Sequence, residues 1–213
     1  MIIKAKVYAL LKHENIIKTI FAGYVGVLVF FVLVIEGVSI VSAVVESVLV
    51  ALALVIGSKH TLTLRGKLGF NLGGFMVPLF FSIETYLRSY ALISMVSADF
   101  LMALIISTLV CYFASFKVHH AGVFVNLVVP LFVVSSLSSI IVLRHMIPIY
   151  YSAIISLLLG YLSVLFGVDI LNYDFTHRRK YVIGGEGLFD ALVVVTFLSA
   201  GVSLAISLVA SVA

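Results

Sequence analysis

IIKTIFAGYVGVLVFFVLVI (Ile16–Ile35) and VSIVSAVVESVLVALALVI (Val38–Ile56) stand almost back to back, parted only by Glu36 and Gly37. About 20 mostly apolar residues carry an α-helix across the hydrocarbon core of a bilayer, so each run is long enough to span it. Glu36, Gly37 and Ser39 are then the tight turn of a helical hairpin. Five further apolar runs follow, at Leu72–Tyr86, Ser97–Phe116, Gly122–Leu143, Pro148–Val168 and Leu188–Ala210.

Composition agrees with that reading. Of 213 residues 63% are hydrophobic and 10% charged, with a mean hydropathy of +1.31, whereas soluble domains carry roughly a quarter charged residues. The runs are apolar on every face rather than alternating, which excludes a β-barrel and predicts an all-α membrane bundle of about seven transmembrane helices. Connections are short and no polar linker divides the chain, so residues 1–213 read as one domain. No internal repeat stands out, which weakens the inverted-repeat transporter architectures. The first run follows Lys4, Lys6, Lys12 and Lys18 but exceeds the roughly 7 to 15 residues of a signal-peptide core and lacks a small-x-small cleavage site, so it counts as a span. Cys111 is the single cysteine, leaving no internal disulfide.

Thirteen Lys and Arg residues orient the bundle. Seven alternating spans place Lys4, Lys6, Lys12, Lys18, Lys59, Arg65, Lys67, Lys117, Arg178, Arg179 and Lys180 on one side and only Arg88 and Arg144 on the other. The positive-inside rule then predicts a multi-pass protein of the cell membrane with its N-terminus cytoplasmic and its C-terminus outside. The net charge of +4 belongs to loops facing anionic headgroups, so membrane lipid is the expected partner. No aromatic-rich basic module points to nucleic acid.

Carboxylates at membrane depth are the first place to look for function, because burying one costs about 2.5 to 3.5 kcal/mol even on insertion scales. Glu46 lies inside the second run, Asp99 at the start of the fourth, Asp169 at the end of the sixth and Asp190 at the start of the seventh. Glu36, Glu84, Asp174 and Glu186 are expected to be solvated in turns. Glu46 should face the bundle, paired with a polar group on a neighbouring helix or serving a function. Asp99 suits the positive end of a helix dipole.

Asp169 and Asp190 differ from these because the topology puts both near the cytoplasmic boundary on consecutive helices. Antiparallel helices pack about 8 to 10 Å apart, within reach of two inward carboxylates. Acids held close cannot both ionise easily, so one serves as general acid and the other as general base. The competing reading is structural: Asp190 as a helix cap, Asp169 paired with Arg178, Arg179 or Lys180. Ser152, Ser156, Gly160, Ser163 and Gly167 form a stripe of small residues suited to close helix contact, and in a regular helix Asp169 points nearly opposite Gly160. Adjacent His119 and His120 cannot share a helix face, so no metal site is expected. Nor is a cofactor: Walker, Rossmann, HExxH and GxSxG patterns are missing.

"LFGVDILN" (Leu165–Asn172) with "VIGGEGLFDALVVV" (Val182–Val195) resembles the D-x-x-N and I-G-G-x-G-x-F-D signature of a prokaryotic multi-pass membrane family of unknown function. "FNLGGFMVPL" (Phe70–Leu79) resembles the same family's Asn-x-Gly-Gly segment. More distantly, the chain is similar to the GxGD intramembrane aspartyl proteases, presenilin and signal peptide peptidase among them. That resemblance implies a catalytic pair at Asp169 and Asp190, Gly185 and Gly187 as the Gly-x-Gly, and a transmembrane peptide as substrate. Gly184 and Asn172 join them as site backbone; Asn71, Gly73 and Gly74 either flank the site or, the reading favoured by their residue types, serve local packing or a helix break. Leu188 and Phe189 intervene before Asp190, where that group has no residue between, and the Tyr-Asp dipeptide at Tyr173 and Asp174 falls in a loop. Two other classes stay open: a proton- or cation-coupled transporter using Glu46, Asp169 and Asp190, and a non-catalytic membrane scaffold.

Overall fold

The computed structural model describes residues 2–64, 68–118, 122–172, 181–185 and 190–212. It is mostly helical: α1 (Ile2–Ile35), α2 (Ile40–Gly57), α3 (Val77–Arg88), α4 (Tyr90–Met95), α5 (Ser97–Phe113), α6 (Val128–Arg144), α7 (Tyr151–Val164) and α8 (Ala191–Val212). Two π-helical turns, Leu72–Met76 and Leu165–Ile170, lead into α3 and extend α7. Among the described residues four helical stretches, Ile16–Ile35, Ile40–Gly57, Tyr151–Ile170 and Ala191–Val212, are long and apolar enough to cross a membrane, while α5 and α6 are shorter apolar helices.

The first hairpin forms as its sequence dictates. Gly37, at φ +82°, ends α1 in a left-handed turn closed by Val38 N–H to Leu33 O at 2.9 Å and Gly37 N–H to Val34 O at 3.1 Å, a Schellman stop that glycine adopts without steric penalty. Ser39 then caps α2, its hydroxyl accepting from the Ser42 N–H at 3.3 Å. Much of α2 presents an exposed apolar face, including Val41, Val44, Val48, Leu52 and Val55, as a helix bordered by lipid does.

The all-α expectation needs correction at the helix ends. β1 (Thr61–Leu64), β2 (Leu68–Asn71) and β5 (Tyr181–Ile183) form a sheet in the order β1-β2-β5, antiparallel and then parallel. β3 (Ser115–Val118) and β4 (Gly122–Val125) form a hairpin. The expected runs Ser97–Phe116 and Gly122–Leu143 therefore each surrender a terminus: α5 stops at Phe113 and α6 starts at Val128. The five strands among the described residues gather at one end of the bundle, the strand end. The connections after α1, α3 and α6 lie at the other, the turn end.

α7 is the central helix, packed against α3, α5, α6 and α8. Lipid tails are as apolar as leucine, so helices in a bilayer associate through close packing and hydrogen bonds rather than hydrophobic burial. Serines supply both. Ser135 and Ser139 of α6 donate to the Ser199 and Ser203 carbonyls of α8, each at 3.0 Å. Ser199 and Ser203 in turn donate to the Ser156 and Ser152 carbonyls of α7 at 3.4 and 3.2 Å. Ser139→Ala is expected to lower stability by only about 0.6 kcal/mol, the average for such bonds in a bilayer; a reversible unfolding titration in mixed micelles measures it.

The small-residue stripe on α7 is not one surface. Ser152, Ser156 and Gly160 face α8, a Cβ on Gly160 meeting Ser199 Oγ at 3.0 Å. Gly167 instead abuts the α5 backbone at Thr108 and Tyr112. The change of face coincides with the π-helical turn, whose i→i+5 bonding, Leu171 N–H to Phe166 O at 2.9 Å, inserts a residue and breaks the regular register.

Candidate functional site

The glycine motifs meet backbone to backbone. Gly184 sits at φ +69°, and a Cβ there would lie 2.6 Å from the Gly74 carbonyl carbon and 2.7 Å from Phe75 N. A Cβ on Gly74 would in turn strike the Gly184 carbonyl oxygen. Parallel pairing of β2 with β5 delivers the two segments to this crossing. Gly73 makes a second crossing with α2, its own virtual Cβ lying 2.6 Å from Leu54 O.

Asn71 joins these parts. It is 2% exposed; its Oδ1 accepts from Gly74 N–H at 2.7 Å and its Nδ2 donates to Ser58 O at 2.9 Å. One side chain thus ends β2, caps the first π-helical turn and holds the C-terminus of α2. Asn71→Ala removes both bonds and leaves the buried Gly74 N–H unpaired, a cost of about 1 to 3 kcal/mol, with a smaller loss at the part-buried Ser58 carbonyl. A fall of several degrees in the thermal unfolding midpoint of the purified protein is expected.

Asp169 lies in the second π-helical turn and is buried, at 7% exposed. Tyr161, two turns earlier on α7, is buried as well. Asn172 is also buried and acts as a local fastener, donating to Ser115 Oγ at 2.7 Å and to Gly167 O at 3.0 Å. Asp190 opens α8: its Oδ1 accepts from Leu192 N–H at 3.0 Å while its carbonyl accepts from Val194 N–H at 2.9 Å, the geometry of an N-cap. α8, which Asp190 opens, packs on the first π-helical turn, where Gly74 makes the glycine crossing.

Other sequence expectations fare unevenly. Gly185 is exposed, and a Cβ there would lie 3.1 Å from Val182 O, a tight contact but without the clash found at Gly184. Gly187, Glu186, Tyr173, Asp174, His119, His120 and the basic stretch Arg178–Lys180 lie outside the described residues. Asp99, in the first turn of α5, binds Arg144 at 2.8 Å and His145 at 2.7 Å, clasping α5 to the end of α6. Glu46 faces Arg88 at the turn end, away from the two aspartates. Glu36, expected in solvent, has a side chain only 1% exposed, because Ser89 and Arg88 close over the turn. Among the described residues no cluster of His, Cys, Asp or Glu has metal-binding geometry.

A helical membrane protein with a buried acid at the end of one central helix, and a second acid capping the next, is what this fold defines. The chain belongs to the family described as "Protein of unknown function (DUF1614)", which matches residues 43–202. That span holds both π-helical turns, the glycine crossing and both aspartates. No curated protein and no solved structure matches the chain.

Proposed function

We propose that this is a seven-span protein of the cell membrane, N-terminus cytoplasmic, acting as a GxGD-like intramembrane aspartyl endopeptidase or retaining the two-aspartate site of one. Support for the topology comes from the helices, one overlapping each of the seven apolar runs and four of those long and apolar enough to span a bilayer, and from the charge: eleven of thirteen Lys and Arg fall by sequence on the strand-end side.

The observation that carries the catalytic reading is the register of α7 on α8. Ser203 bonds to the carbonyl of Ser152 and Ser199 to that of Ser156, so the helices run antiparallel in step. Continuing that step to the strand end brings Asp190 level with Leu165, where the π-helical turn that carries Asp169 begins. With helices about 8 to 10 Å apart, the two carboxyl groups would bear on each other's proton where their side chains turn toward one another.

In the proposed reaction the ionised aspartate takes a proton from water, whose oxygen attacks the peptide carbonyl carbon while the other aspartate protonates the carbonyl oxygen. The tetrahedral species then collapses: the C–N bond breaks, the amine leaves with a proton from the acid formed in the first step, and a diol proton returns to the other aspartate as the carboxyl C=O reforms. β5 bears on substrate binding. It is an edge strand among the described residues, and edge main-chain groups can pair with an extended peptide. Cleavage of a transmembrane peptide in liposomes, followed by mass spectrometry, tests the reading.

A further inference from the structure

The turn end carries a second polar cluster, separate from the aspartates and independent of the protease reading. Arg88 of α3 binds Glu84 at 2.6 Å, and the same guanidinium stands 3.9 Å from Glu46 Oε2 of α2 and 3.9 Å from Glu36 Oε2 of the α1–α2 turn. Three carboxylates therefore surround one cation. At 3.9 Å the last two contacts are Coulombic and too long to be hydrogen bonds.

Glu36 is the anomalous member. Its side chain is almost wholly buried. The Ser89 hydroxyl donates to Oε1 at 3.2 Å, while Oε2 is buried with no hydrogen-bond partner, as is Glu46 Oε2. A buried anionic oxygen without a donor is strongly disfavoured; a neutral carboxylic acid relieves both the desolvation and the excess negative charge.

We propose that the Glu36–Glu46–Arg88 cluster is a proton-binding site in which Glu36 Oε2 takes the proton. Every group acting on Glu36 agrees with a site that fills and empties in the physiological range. Burial raises its affinity for the proton, the Ser89 bond and the Arg88 charge lower it, and Glu84 and Glu46 raise it again, with the balance at about 7 against an ordinary value of 4.5. Because the folded chain keeps a proton that the unfolded chain releases, stability falls as pH rises from about 4.5 to about 7 and levels off above.

Infrared difference spectroscopy on the full-length protein in liposomes tests this. A protonated-carboxyl C=O band should disappear with a midpoint near pH 7 in the wild type and be missing from Glu36→Gln, which keeps the acceptor for Ser89. Glu46→Gln, which removes a neighbouring negative charge, should shift the midpoint down, and Arg88→Gln should shift it up. The same titration in Glu36→Gln as in wild type, or a midpoint untouched by Glu46→Gln, overturns the proposal.

Discussion

Asp169→Asn and Asp190→Asn are each expected to lower cleavage of a reconstituted transmembrane peptide by at least about 10²- to 10⁴-fold, the usual contribution of a positioned acid or base. The choice of asparagine matters most at position 190. Asp190 caps α8 through Leu192 N–H, and asparagine caps a helix about as well as aspartate, whereas alanine loses about 1 kcal/mol. Asp190→Asn should thus keep wild-type stability and lose activity; Asp190→Ala should lose both. A purely structural Asp190 gives the reverse pattern in the first variant: intact turnover at intact stability. Parallel melting curves and turnover measurements on the three proteins separate the roles.

Gly184→Ala is expected to prevent recovery of folded protein. Two effects add. The left-handed backbone at φ +69° disfavours any residue with a Cβ by about 1 to 2 kcal/mol. The new methyl would also press within 2.6 to 2.9 Å of the Gly74 and Phe75 backbone, and backbone cannot rotate away as a side chain can. A Cβ on Gly185, by contrast, meets nothing nearer than Val182 O at 3.1 Å, so Gly185→Ala should express as monodisperse protein in size-exclusion chromatography. Equal yields of the two variants would show that the crossing does not hold the strand end together.

The contrast between these neighbouring glycines shows what the sequence could convey. That Gly184 and Gly74 belong to glycine motifs was legible; that they touch was not, since parallel pairing of β2 with β5 joins distant segments and leaves no periodic mark. Local features read well. Gly37 and Ser39 announce a helix stop and start within four residues, and both behave as such. The strands at Ser115–Val118 and Gly122–Val125 were hidden because Phe116, Val123, Phe124 and Val125 extend the hydropathy of the adjoining helices. Hydropathy reports transfer to an apolar medium and is silent on backbone conformation.

The polar residues follow the same division. Asp190 as a cap was legible from its place before an apolar run, and so was Asp99 at a helix start. Glu36 was misread because its burial depends on Ser89, 53 residues away. The π-helical turn at Leu165–Ile170 was likewise invisible to a regular 3.6-residue wheel. It decides which neighbour Gly167 meets and alters the face on which Asp169 emerges.

The paired-aspartate claim is tested most directly by binding of a transmembrane peptide whose scissile amide is replaced by a hydroxyethylene group, a mimic of the tetrahedral species that both acids must hold. Measured by photo-crosslinking in liposomes, the peptide should label wild-type protein and fail to label either Asp169→Asn or Asp190→Asn. Labelling that survives in both variants, or no labelling of the wild type, contradicts the account.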